Sequence, residues 1–99
     1  MDLYGIRRRS CWADAEELER DGKRSAEVGD QPDSGVRWIR SYVVQEDDGR
    51  LGSLCIYEAT GPEAIREHAA QSGFSADEIN QVADTVVVRP DPEPAAAAG

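Results

Sequence analysis

Histidine and phenylalanine each occur once in the 99 residues, cysteine twice, and no apolar run approaches the roughly 20 residues that a membrane span requires. Each scarcity removes a class of function. Cys11 and Cys55 lie far apart and make no CxxC pair, so neither a zinc-ribbon site nor a thioredoxin-type dithiol can be built from them. No P-loop, GxGxxG turn or nucleophile elbow is present, which sets aside NTPase, dinucleotide-binding and serine-hydrolase chemistry. Cations are outnumbered, 11 Lys and Arg against 20 Asp and Glu, and the net charge of −9 opposes binding to nucleic acid or to an anionic membrane. Even Arg7-Arg8-Arg9 makes no phosphate patch, because alternation along a strand sends the three side chains to two faces. The first residues carry an acid at Asp2 and no apolar segment, so no secretory signal and a cytoplasmic location are expected.

The apolar content, 39% of residues, suffices for one small core and leaves no room for a second. A single domain is expected over residues 1–89, followed at 90–99 by a disordered tail whose three prolines and four consecutive alanines cannot pack. Leu3 to Arg8 alternates as a strand, with Tyr4 and Ile6 on one side and Leu3, Gly5 and Arg7 on the other. Asp14-Ala15-Glu16-Glu17 reads as a capping box, and Ala15, Leu18, Gly22 and Ser25 follow at helical spacing, predicting a helix to about Val28. Gly22 in its middle costs ~1 kcal/mol relative to alanine, which points to close contact with the sheet or a break.

Val36–Val44 and Leu51–Glu58 are β-branched and aromatic runs that predict two strands. Asp48-Gly49 between them is a type I′ hairpin signal, and that two-residue loop would pair Val43 with Leu54, Tyr42 with Cys55, Arg40 with Tyr57 and Trp38 with Ala59. Thr60-Gly61-Pro62-Glu63 is a second capping box. The helix it opens carries Ala64, Ile65, His68, Ala69 and Ser72 on one stripe and ends at Gly73, with Phe74 placed for a Schellman contact. Glu78 to Val88 contains the last strand, residues 78 to 82 being open to a helical or an extended reading.

The order β, α, β, β, α, β predicts an α+β ferredoxin-like plait: a four-stranded antiparallel sheet, the first and third strands central, and both helices on one face. The other face then lacks a helix. On it the predicted register places Trp38, Arg40, Tyr42, Ser53, Cys55 and Tyr57 beside Leu3, Gly5 and Arg7, a patch of rings and guanidinium groups that calls for a ligand or a second copy of the chain. Arginine as fork donor and tyrosine as rigid wall would suit a planar or anionic metabolite. Cys55, between Leu54 and Ile56, also reads as a simple buried thiol.

The motifs Trp38-x-x-Ser41-Tyr42-Val43, Cys55-x-Tyr57-Glu58-Ala59 and Pro62-Glu63-Ala64-Ile65-x-Glu67-x-His68, followed by Gly73, Ala76-Asp77 and Ile79, carry a resemblance over about Val36 to Val82. Here the chain resembles a family of small bacterial proteins, a domain family of unknown function that includes a nickel-binding protein. The resemblance implies a ferredoxin-like fold, a homodimer joined through its sheets and nickel in at least one member, and it implies no reaction. A nickel site needs several converging donors, and this chain offers one imidazole, His68, as candidate ligand. His68 also reads as a hydrogen-bonded residue at the edge of an apolar stripe, and Glu58 as a rim carboxylate. Two functions follow: a dimeric binding protein for a divalent metal or small ligand, or a dimeric α+β barrel enzyme using His68, Glu58 and a tyrosine as acid–base groups.

Overall fold

A computed structural model of the protein describes residues 1–73 and 76–92. Its elements run β1 (Asp2–Trp12), α1 (Ala15–Gly29), β2 (Val36–Gln45), β3 (Leu51–Ala59), α2 (Pro62–Ser72) and β4 (Glu78–Gln81). The strands form one antiparallel sheet in the order β2-β3-β1-β4, so the first and third strands are central, as right-handed crossovers require. This is the expected ferredoxin-like plait. Residues 78 to 81 are extended, which settles the ambiguous stretch, with Ile79 opposite Ile6.

Local chemistry accounts for the helix ends. The Asp14 carboxylate accepts from the Glu17 N–H at 2.9 Å and caps α1. The second cap differs from its prediction: Gly61, not Thr60, is the N-cap residue of α2, no side chain caps it, and Pro62 begins the first turn. Gly73 closes α2 in the left-handed region, its N–H reaching the Ala69 and Ala70 carbonyls. The expected Phe74 contact lies outside the described residues, as does 93–99 of the expected disordered tail.

The core lies between sheet and helices, where Tyr4, Ile6, Cys55, Tyr57 and Ala59 pack against Ile65 of α2, together with Val36. Ile6 and Ala59 have no exposed surface. Tyr57 and Cys55 on this side correct the predicted register, which had put them on the helix-free face. The β2–β3 loop has three residues, Asp47, Asp48 and Gly49, closed by the Glu46 N–H to the Arg50 carbonyl at 2.9 Å and the Gly49 N–H to the Glu46 carbonyl at 3.1 Å. Gly49 takes φ 85°, and the Asp48 carboxylate accepts from the Arg50 N–H. This is the type I turn plus left-handed glycine of a three-residue hairpin.

The added loop residue slips the pairing by one: Tyr42 faces Leu54, Val43 faces Ser53 and Arg40 faces Ile56. A slip of one residue exchanges the faces of a strand, and β3 is turned over relative to the prediction. An irregularity between Trp38 and Arg40 then shifts the register again and sets Trp38 opposite Tyr57, on the helix side. Arg40 and Tyr42 stay on the open face, together with Arg7, Leu54 and Ile56.

Beyond β4 the chain leaves the sheet. The Val82 N–H donates to the Leu3 carbonyl, and nine residues later Asp91 meets Arg40 and Tyr42 of the opposite edge strand. Val86, Val87 and Val88, predicted within the run of the last strand, lie in this strap and are 72–83% exposed.

Gly49 is the position on which the hairpin register turns. Gly49→Ala places a Cβ at positive φ and is expected to lower stability by about 1 kcal/mol, whereas Asp47→Ala in the same loop should change it by less than about 0.5 kcal/mol. Equal melting temperatures for the two variants would contradict the loop geometry.

Candidate functional site

The two corrected strand faces build a cavity beneath α1. From the hairpin come Trp38, Ser41, Val43, Ser53, Cys55 and Tyr57, and from β1 come Arg8 and Trp12. Opposite them α1 presents Leu18, Gly22 and Ser25. Glycine and serine stand where larger side chains would fill the gap, and about 220 Å³ is left open. A methyl group on Gly22 would meet no atom within 4 Å, so the glycine makes room rather than contact.

The polar atoms around this space largely satisfy one another. The Trp38 indole N–H donates to Ser41 Oγ at 2.7 Å, Ser41 donates to Cys55 Sγ at 3.0 Å, and Ser53 Oγ lies 3.3 Å from the same sulfur. The Trp12 indole N–H donates to Asp21 at 3.0 Å. The Trp38 and Tyr57 rings stack, centroids 6.1 Å apart and planes within 10°. Arg8, 1% exposed, contributes the one cation of the lining.

Behind Tyr57 lies a buried polar triad. Ser25 Oγ is 3.3 Å from both Tyr57 Oη and His68 Nε2, and His68 Nε2 is 3.0 Å from the Ser25 carbonyl. The carbonyl makes Nε2 the protonated nitrogen, leaving Nδ1 sealed from solvent with no hydrogen-bond partner among the described residues. Burial pushes the His68 imidazole below its usual range, against the opposing pull of the Ser25 carbonyl, and pushes the Tyr57 phenol up. A polar cleft of about 590 Å³, lined by Arg24, Glu27, Asp33 and Glu67 among others, opens beside His68.

Nickel fits none of these places. Among the described residues no three of His, Cys, Asp and Glu come together to hold a metal ion. His68, the expected ligand, uses one nitrogen inside the core and has the other closed off.

Elsewhere the expected site residues are dispersed. Trp38, Cys55 and Tyr57 line the cavity under α1, while Arg7, Arg40 and Tyr42 remain on the open face. There Arg7 makes a two-pronged pair with Glu46 at 2.9 and 3.1 Å, Arg40 meets Asp91 at 2.8 Å and Arg9 meets Glu78. Arg7 and the Ser10 N–H hold the Glu46 carboxyl below its ordinary range. Glu58, expected as a rim carboxylate, also lies on the open face, 3.5 Å from Arg37. It is therefore across the sheet from His68, and the proposed acid–base pair is not assembled. Trp12, Arg8 and Ser25 were not singled out in the sequence as site residues; the signal available was the small pair Gly22 and Ser25 on the inward stripe of a helix.

Because His68 is the sole histidine, its burial has a measurable signature. Folding keeps it neutral, so the unfolded chain binds more protons as pH falls through about 6.5, and stability present above that pH is lost below it. The melting temperature should drop between about pH 7.5 and 5.5, and His68→Gln should flatten that slope. His68→Gln should also leave Ni²⁺ affinity by calorimetry within twofold of wild type; a loss of tenfold or more would make His68 a ligand after all.

A family model described as nickel responsive protein SCO4226-like matches residues 4–82. Among solved structures, that of SCO4226 from Streptomyces coelicolor A3(2) superposes with a TM-score of 0.69 at 19% identity, covering 85% of this chain and 99% of that one. At that identity the likeness speaks for the fold. The search of the curated proteins found no match. The family model spans most of the chain, both helices and all four strands included, and the chain belongs to the SCO4226-like family of nickel responsive proteins.

Proposed function

We propose that this protein is a non-enzymatic binding protein that acts as a homodimer joined through the helix-free faces of its sheets. The observation that carries the reading is a charge-balanced apolar face on a strongly acidic chain. Tyr42 and Leu54, 42% and 39% exposed, share that face with Ile56 and Leu3, and Arg7, Arg37 and Arg40 around them are each matched by a carboxylate of the same chain. At a net charge of −9 two copies repel each other over most orientations, and a face whose charges cancel is where they can meet. The same ion pairs leave the arginines unavailable as a ready anion site, which favours a second copy over an anionic metabolite as the occupant.

The separation of Glu58 from His68 speaks against the enzymatic alternative, since general acid–base catalysis needs its groups within reach of one substrate. The family name supports a part in a nickel response. The described residues of one chain supply no donor set for the ion, so no ligand is assigned.

Sedimentation velocity at micromolar concentration tests the pairing: the wild type should run as a dimer of twice 10.8 kDa and Leu54→Glu as a monomer. A monomeric wild type, or a Leu54→Glu variant that stays dimeric, would sink the reading.

A further inference from the structure

We propose that the cavity between α1 and the β2–β3 hairpin binds a small, flat, largely apolar aromatic molecule of one or two rings. The proposal names a ligand for the binding protein described above, on the face of the sheet opposite the pairing surface, and does not require that pairing.

Volume sets the size of the guest. An apolar cavity of about 150 Å³ in a protein core accepts benzene. The 220 Å³ here admits one ring with substituents or two fused rings, and excludes a nucleotide or a cofactor. Wall chemistry sets its character. Trp12, Trp38 and Tyr57 offer ring surfaces, Leu18 and Val43 add aliphatic ones, and the nearby indole N–H groups and serine hydroxyls are already engaged with Asp21, Ser41 and Cys55. A guest carrying positive charge or many hydrogen-bonding groups would lose water without replacement, next to a lining whose charged side chain is itself a cation. The buried Arg8 guanidinium in the lining favours the electron-rich face of an aromatic ring over a saturated one.

Access and origin agree with a built pocket. Trp38 is 41% exposed and Val43 52% exposed, so these two residues reach solvent while Tyr57 behind them, 2% exposed, does not. Glycine at position 22 weakens a helix that would gain stability from alanine or leucine there, and that position is where a side chain would fill the space. A chain selected for stability alone would close the gap; this one keeps it open.

The test uses quinoline and toluene as probes, with cyclohexane as the saturated control. Both tryptophans of the chain line the cavity, so quenching of intrinsic fluorescence reports occupancy directly, and calorimetry measures the affinity. Saturable binding of quinoline or toluene, at least tenfold tighter than cyclohexane, is the expected result for the full chain. Gly22→Leu fills the cavity from the helix and Val43→Trp from the sheet, and each should weaken binding at least tenfold, Gly22→Leu without lowering the melting temperature. The monomerising Leu54→Glu should bind the probes as the wild type does, which separates failure of the pocket from failure of the dimer. No saturable signal from either aromatic probe in the wild type, or undiminished binding in a folded filling variant, would overturn the proposal.

Discussion

The register of the β2–β3 hairpin is the constraint from which the other features descend. Three loop residues instead of two decide which side of β3 faces the helices, and with it whether Tyr57 and Cys55 are core or surface. The irregularity after Trp38 performs the same operation on the lower half of β2 and brings Trp38 over Tyr57. Between them these two local events bring the Trp38 and Tyr57 rings under α1, beside Trp12 of β1, and leave Leu54, Ile56 and Tyr42 facing outward. The loop supplies its own reasons for being three residues long: a glycine at φ 85° and an aspartate carboxylate that binds the Arg50 N–H.

On the helix side, packing and polarity divide the space in two. Toward α2 Ile65 and His68 lie against Tyr57, and the serine, the phenol and the Nε2 side of the imidazole share hydrogen bonds out of water. Toward the hairpin α1 gives way, because Gly22 has no side chain to reach the sheet and Ser25 reaches only the Tyr57 hydroxyl. A helix with a single fully buried residue, Ser25, rests more on α2 than on any one strand and meets sheet side chains through Asp21 and Ser25, a loose arrangement that suits a site able to admit a guest.

On the open side, electrostatics does the dividing. The arginines that line this face in an acidic chain are matched by Glu46, Glu58, Glu78 and Asp91, and the strap from Val82 to Asp91 brings the last of these carboxylates back to the edge strand. The outcome is an apolar surface with cancelled charge around it. Membership of the nickel responsive family and the lack of a donor cluster among the described residues are compatible, since a metal response does not require every ligand to come from one chain.

Composition and periodicity by themselves determined the α+β class, the order of six elements, the central positions of β1 and β3, the cap at Asp14 and the stop at Gly73, because these depend on contacts within a few residues or on general handedness. The faces of β1 were legible too, since an alternating strand needs no partner to reveal its period. What the hairpin faces would be was decided only by the tertiary structure: Asp48-Gly49 fits both a two-residue and a three-residue loop, the two differ by one residue of register, and only burial of Tyr57 and Cys55 against the helices distinguishes them. The split between Glu58 and His68, the closure of His68 and the cavity beside Gly22 follow from that choice. Each is a relation between residues far apart in the chain, and no local pattern encodes it.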